Sequence, residues 1–359
     1  MKKTASLILV VSMLATMLSG CAQEPTSNTS TESTEQENPK IGIVYTVSGR
    51  GDMSFNDATY DGACRAEQEL GVTVDHTEPK TLSETEMAIE EMSASGEYAL
   101  IVGITFESLD AINRIAPNYP DQKYALIDCD TGLDNVVSYI ARENEGAFLG
   151  GCLAALLQQY RPNDMITDSK TVGIVGAVDA AVVNRHIAGY ISGAKYIDPE
   201  MNVLYDYVGG FSDATAGQTL AETMYGEGAN IIYNAAATSG LGIFKAAADK
   251  GFLAIGLDSN QNSIDPDHIV ASVEKKTGEF VYSAIENVIN NSFEGGQVLY
   301  MGLAEDGVGI TFDDSNIAVD AEVITILNDI QEKIISGEIM VPATLDEIDA
   351  FVTANHYES

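Results

Sequence analysis

Short apolar runs rich in β-branched residues alternate with stretches of helical periodicity, and the alternation is written twice. Runs at 41–44, 99–104 and 124–127 are followed by a second series at 172–175, 202–208, 231–233 and 253–257. Most of these runs are continuously apolar, which is the signature of strands covered on both faces. Strands separated by helices pair in parallel, so the pattern predicts α/β architecture. Because the stretch 41–128 is echoed by 172–258, two similar doubly wound lobes are expected. About 320 residues are available for them, too many for one small core.

Three further runs, 136–142, 269–275 and 296–303, belong to neither repeat. Each is a candidate strand crossing from lobe to lobe. The expected division is 40–140 plus about 272–298 for one lobe and 141–271 plus about 299–359 for the other, with a hinge of three segments between them. Late in the chain Val281, Ile285, Val288 and Ile289 form one helical stripe, and Val323, Ile324, Leu327, Ile330, Ile334 and Ile335 form another that Gly337 ends. Both are read as core-facing helices without a ligand role.

The beginning of the chain sets its expected address. Lys2 and Lys3 precede an apolar run from 5 to 18, which closes on Leu18-Ser19-Gly20-Cys21, so residues 1–21 read as a secretory signal. A large aliphatic, two small residues and Cys look like a lipobox, at which Cys21 would be acylated to anchor the mature chain. The apolar run is well short of the ~20 residues a membrane span needs. Residues 22–39 are polar and Pro-containing, and are expected to be a flexible tether. The formal net charge of −36 opposes nucleic-acid binding at long range.

Cys64, Cys129 and Cys152 are scattered and odd in number, without a C-x-x-C pair, and read as small buried thiols. His76, His186, His268 and His356 show no paired spacing. The chain contains no G-x-x-x-x-G-K-[ST], H-E-x-x-H or G-x-S-x-G, and Gly240-Leu241-Gly242 has Lys245 where a dinucleotide turn needs its third glycine. No enzyme activity, cofactor or metal is expected. Asp128 and Asp130 could hold a cation, but a pair of this kind at a strand end more often solvates a turn.

Ligands of open α/β sheets bind beyond the carboxyl ends of the strands. The loop 51–56 (GDMSFN) directly follows the first strand, and there Phe55 offers an aromatic face and Asn56 a two-sided amide, suited to a flat heteroaromatic ring. Asp128 and Asp258 end strands at matching places in the two repeats and should face one cleft, where carboxylates can accept from vicinal hydroxyls. An acid/base pair for glycoside cleavage and a simple turn cap are the competing readings.

The segments GDMSFNDATYDG, GITFESLDAI, ALIDCDTGLDNVVSYIARENEGAFLGG, TVGIVGAVD, AGYISGAKYIDP, GQTLAETMYGEGANIIYNAA and AIGLDSNQ, in this order, resemble the basic membrane protein family of lipoproteins, purine-nucleoside receptors of ABC importers. The resemblance runs from about residue 40 to 276 and more loosely beyond. It implies a type I periplasmic-binding-protein fold, with a nucleoside held between two lobes and handed to an ABC permease, and a monomer is expected. It also implies that Phe55 stacks on the base, Asn56 and Asp52 serve its edge or order the loop, Asp128 accepts from the base, Asp258 accepts from the ribose, and Lys275 offsets the carboxylates. His186 stands where the family usually has a second Phe. The wall that is normally Gly-rich reads Ala237-Thr238-Ser239-Gly240, which puts Gly240 at the ligand. Receptors for a sugar or related metabolite, or a sensor or adhesion lipoprotein on the same fold, are the alternatives.

Overall fold

The computed structural model describes residues 38–161 and 163–357. The expected leader, the acylation position Cys21 and nearly all of the tether lie outside the described residues. No helix among the described residues is long and apolar enough to cross a membrane.

The chain builds two six-stranded sheets in succession. The first lobe runs β1 (Lys40–Val44), α1 (Phe55–Leu70), β2 (Thr73–Thr77), α2 (Leu82–Ser95), β3 (Tyr98–Ile104), α3 (Thr105–Ile115), β4 (Tyr124–Ile127) and β5 (Val136–Ala141). The second runs α4 (Glu143–Tyr160), β6 (Thr171–Gly176), α5 (Ala181–Ile197), β7 (Asn202–Tyr207), α6 (Ala214–Gly226), β8 (Ile231–Ala235), α7 (Leu241–Lys250), β9 (Leu253–Asp258) and β10 (Ile269–Lys275). Helix α8 (Thr277–Ile289) and strand β11 (Val298–Met301) follow, then β12 (Val308–Thr311), α9 (Ala321–Ile335) and α10 (Ile348–Ala354).

Strand orders are β11-β5-β4-β3-β1-β2 and β12-β10-β9-β8-β6-β7, so the two sheets repeat one topology. Every pairing is parallel except that of β12 with β10. The chain therefore passes between sheets around Arg142, between Lys275 and Thr277, and between Met301 and Val308. Sheet membership places the second and third passages a few residues later than about 272 and about 298, because β10 stays in the second sheet and β11 closes the first.

All seven expected runs form strands. The central ones are buried on both faces, as in IVGI of β3 and all of β6, β8 and β9. Two strands escaped the reading. β2, TVDHT, is a short, mostly polar edge strand, and β12, VGIT, is a four-residue edge strand. Edges have one neighbour and less burial, so their sequences need not be apolar. In α8 the stripe Val281, Ile285 and Val288 is buried, as are Val323, Leu327, Ile330 and Ile334 of α9, while Ile335 at the end of that stripe is exposed.

Helices α4 and α5 fasten the second lobe. Gly151, Gly189 and Gly193 lie at their crossing, where a Cβ would run into the backbone of Tyr190, Asn144 or Phe148 respectively. With no side chains between them the two backbones touch, and α4 is buried along nearly its whole length. α4 begins immediately after the first passage between sheets, so it carries Glu143 to the boundary between lobes.

Candidate functional site

Strand ends from both sheets meet around one cleft, and the local sequence explains how each side chain arrives there. Asp52 organises the loop before α1. Its Oδ1 accepts from the Ser54 and Asp57 amides at 3.0 and 3.2 Å, and its Oδ2 accepts from the Asn56 amide and Asn56 Nδ2 at 2.9 and 2.8 Å. Asp52 thus satisfies two of the orphan donors of the helix start, the Asn56 and Asp57 amides. Asn56 Oδ1 accepts from Thr46 N and Oγ1 at 3.2 and 3.1 Å, so its amide is spent inside the loop. Of the two roles foreseen for this pair, loop ordering accounts for their hydrogen bonds. Both residues still line the cleft, with Phe55 between them.

Asp128 and Asp258 occupy equivalent positions, directly after β4 and at the end of β9, and both have left-handed backbones, with φ of 71° and 63°. Asp is among the few non-glycine residues that adopt this conformation at modest cost. Thr105 after β3 and Ala237 after β8 repeat the feature, with φ of 62° and 48°, and both line the cleft. Backbone strain of this kind concentrates where ligands bind.

Lys275, the last residue of β10, reaches across the lobe boundary. Its Nζ lies 2.6 Å from Asp128 Oδ2 and 3.0 Å from Glu143 Oε1, and 4.7 Å from the centre of the Phe55 ring. Arg185 Nε in turn holds Glu143 Oε2 at 2.6 Å. Burial pushes Glu143 up, but Lys275 and Arg185 outweigh it and hold the carboxyl at about 2. Burial opposes charge on Lys275 too, yet Asp128, Glu143 and Asp258 keep it protonated. Burial raises Asp128 above the usual carboxylate range, with Lys275 opposing. Its Oδ1 is buried and has no hydrogen-bond partner among the described residues.

Asp258 is raised by burial to about 6, against the pull of Lys275 and Ser54. Ser54, from the first lobe, donates its hydroxyl to Asp258 Oδ2 at 2.5 Å. Gln261 Nε2 donates to Met53 O at 2.9 Å close by. Ser259 Oγ also donates to Ser54 O at 3.4 Å, so the loop that carries Phe55 is bonded to the second lobe at three points.

The cleft has an empty volume of about 650 Å³, counting its open mouth. Of the eight residues expected to touch ligand, Asp52, Phe55, Asn56, Asp128, His186, Asp258 and Lys275 line it, and Gly240 does not. Gly240 packs on the Asn234 side chain, which occupies the space a Cβ would need, and Ala237 supplies the wall instead. His186 is 5 % exposed and its Nδ1 bonds the Tyr233 hydroxyl at 2.9 Å. Burial drives it down to about 3, which favours the neutral ring at ordinary pH.

Phe106, Phe211, Glu143 and Arg185 escaped the sequence reading. Phe106, at the start of α3, and Phe211, after β7, come from opposite lobes and meet with ring centres 6.5 Å apart beside the cleft. The strand-end rule that selected Phe55 also applies to both. Glu143 has no comparable signal, because it looks like an ordinary acidic residue of a helix first turn. The thiols also differ from expectation: Cys152 is buried, while Cys64 and Cys129 are only partly so.

Comparison with known proteins agrees with this geometry. The family model for ABC transporter substrate-binding proteins of the PnrA-like type matches residues 40–345. The chain is 36 % identical to a lipoprotein of Pyrococcus furiosus over 77 % of its length and 71 % of that protein. It is 29 % identical to basic membrane protein A of Borreliella burgdorferi, over 88 % and 91 % of the two chains. The crystal structure of an ABC transporter solute-binding protein from Aeropyrum pernix K1 superposes with a TM-score of 0.78 at 32 % identity, covering 88 % of this chain and 98 % of that one. An arabinose-binding protein from Geobacillus stearothermophilus, at 14 % identity and a TM-score of 0.60, shares the fold. The two lobes are thus those of the type I periplasmic-binding-protein fold, and the chain belongs to the PnrA-like family of ABC transporter substrate-binding proteins, which bind and deliver solutes and are not enzymes.

Proposed function

We propose that this protein is a lipid-anchored, extracytoplasmic receptor that captures a nucleoside, a purine by preference, between its lobes and delivers it to an ABC permease. The observation that carries the reading is the pairing of an aromatic face, Phe55, with a buried acceptor, Asp128 Oδ1, that lacks a partner among the described residues. A buried, unsatisfied carboxylate oxygen is costly, and a ligand N–H at that point removes the cost. A heteroaromatic base supplies such a donor on a flat ring that can lie against phenyl groups. Asp258, on the opposite strand end, suits sugar hydroxyls as hydrogen-bond donors.

Phe106 and Phe211 fit the second aromatic contact better than His186, whose Nδ1 is already bonded to Tyr233. The lobes would close about the three passages between sheets, and the bonds from Ser54 and Gln261 across the cleft are the kind that stabilise a closed form. The lipobox-like sequence ending at Cys21 and the lipoprotein relatives support the anchor.

Thermal unfolding with a panel of purine and pyrimidine nucleosides, free bases and pentoses tests the ligand. A nucleoside at 100 times its Kd should stabilise the fold by about 2.7 kcal/mol. A shift with pentoses or another metabolite and none with nucleosides would leave the fold intact and overturn the ligand.

A further inference from the structure

Outside the cleft lining, helix α1 and edge strand β2 bring together three side chains of metal-ligand type. Cys64 and Glu67 are three residues apart on one face of α1, and His76 lies on β2. A sulfur, a carboxylate oxygen and an imidazole nitrogen from these residues lie within 4.8 Å of one another, each residue partly buried.

The surroundings hold the imidazole and the carboxylate in place. His76 Nδ1 bonds the buried Tyr45 hydroxyl at 2.8 Å, and the imidazole stacks against the Tyr45 ring with Tyr60 tilted against it on another side. With Nδ1 engaged, Nε2 is the nitrogen left to coordinate, and a second-shell bond of this kind fixes both tautomer and ring orientation. Burial lowers the basicity of His76. Glu67 Oε1 accepts from the Val74 amide at 2.9 Å, which tethers its carboxylate to the same edge strand. The neighbouring cation Arg50, stacked on Tyr60, is paired with Glu78 at 2.7 Å.

We propose that Cys64, Glu67 and His76 form a binding site for a divalent transition ion of the zinc class, with a fourth coordination position left to solvent. One thiolate, one carboxylate and one neutral imidazole balance a doubly charged ion, and the mixed sulfur, oxygen and nitrogen set suits zinc or cobalt better than calcium or magnesium. Binding releases the Cys64 thiol proton to solvent, and no other bond is made or broken beyond the coordination itself. The site lies outside the cleft and stands independently of the nucleoside reading.

Titration of the reduced full chain with Co²⁺ tests the assignment, using a Cys21→Ser background to remove the thiol at the acylation position. One equivalent should bind, giving thiolate-to-cobalt absorption in the near ultraviolet and the intense visible bands of a four-coordinate ion, both abolished by Zn²⁺. Cys64→Ser, nearly isosteric, should eliminate the charge-transfer absorption while leaving circular dichroism unchanged. His76→Gln and Tyr45→Phe should each weaken Co²⁺ binding about tenfold or more, the second by freeing the ring. Absence of charge transfer in the parent, or its persistence in Cys64→Ser, overturns the site.

Discussion

Replacing Lys275 by methionine removes one positive charge from among Asp128, Glu143 and Asp258 while keeping most of the side chain's volume. Asp128 Oδ2 loses a partner at 2.6 Å and Glu143 Oε1 one at 3.0 Å, and Arg185 remains, among the described residues, to hold Glu143. Breaking a buried pair from one side costs about 3–5 kcal/mol, against a total stability of about 5–15 kcal/mol for a domain. The deficit should depend on pH. Asp128 and Asp258 are already raised by burial, Asp258 to about 6, and loss of the cation raises both further. A carboxyl whose folded pKa lies above its unfolded value destabilises the fold while ionised, and that destabilisation is lost as pH falls through the folded pKa. The variant should therefore show its full deficit at pH 8 and a smaller one at pH 5. Adding Asp128→Asn should restore about 2 kcal/mol by neutralising a stranded charge. Urea unfolding without added nucleoside, at several pH values across this window, measures all of this. A deficit below about 1 kcal/mol, or one equal at pH 5 and pH 8, refutes the reasoning that Lys275 is the electrostatic centre of the lobe boundary.

Nucleoside affinity should fall by about tenfold between pH 7.5 and pH 5, because a carboxyl with a value near 6 is then about one-tenth ionised and Asp258 accepts from hydroxyls as a carboxylate. Calorimetric titration that gives a flat profile would remove Asp258 from the contact. Phe55→Ala should weaken nucleoside binding by about 1–3 kcal/mol, about 5- to 150-fold, by the same titration, and because Phe55 is a buried core residue it should also lower the stability of the ligand-free protein in urea by up to about 3–5 kcal/mol. Gly189→Ala forces a methyl into the Asn144 backbone and must separate α4 from α5. The expected cost is about 2 kcal/mol or more, and an unchanged melting temperature would show that the helices have room to part.

Continuity of hydrophobic burial made the strands of both lobes legible, because a short run such as Tyr-Ala-Leu-Ile before Asp128, alternating with helical stretches, reads as a covered strand ending at a polar position. The same feature explains what was missed. Thr73–Thr77 is an edge strand whose partner on one side supplies most of its stability, so its own residues carry little signal. In the cleft, residues adjacent to strand ends were accessible to reasoning, and Phe55, Asp128 and Asp258 sit where strand ends put them. Glu143 and Arg185 are brought to Lys275 by the crossing of α4 and α5, and a contact between residues so distant in sequence has no local pattern. Gly240 lies off the cleft lining for the complementary reason: its position in the chain is near the wall, but the Asn234 amide fills the space that a Cβ there would need.

The left-handed backbones of Asp128 and Asp258 restrict how this cleft can change. At each position one residue turns a chain corner and also presents a carboxylate, so mutation acts on geometry and chemistry together. Alanine removes the carboxylate and adds a conformational penalty of about 1–2 kcal/mol, so a loss measured with it mixes two causes. Asparagine and glycine tolerate the corner, and comparing all three substitutions would separate the cost of the turn from the value of the contact. A lineage drifting toward a different solute has the same narrow vocabulary at these two points. Its specificity would have to be rewritten in the phenyl rings and loop walls around them.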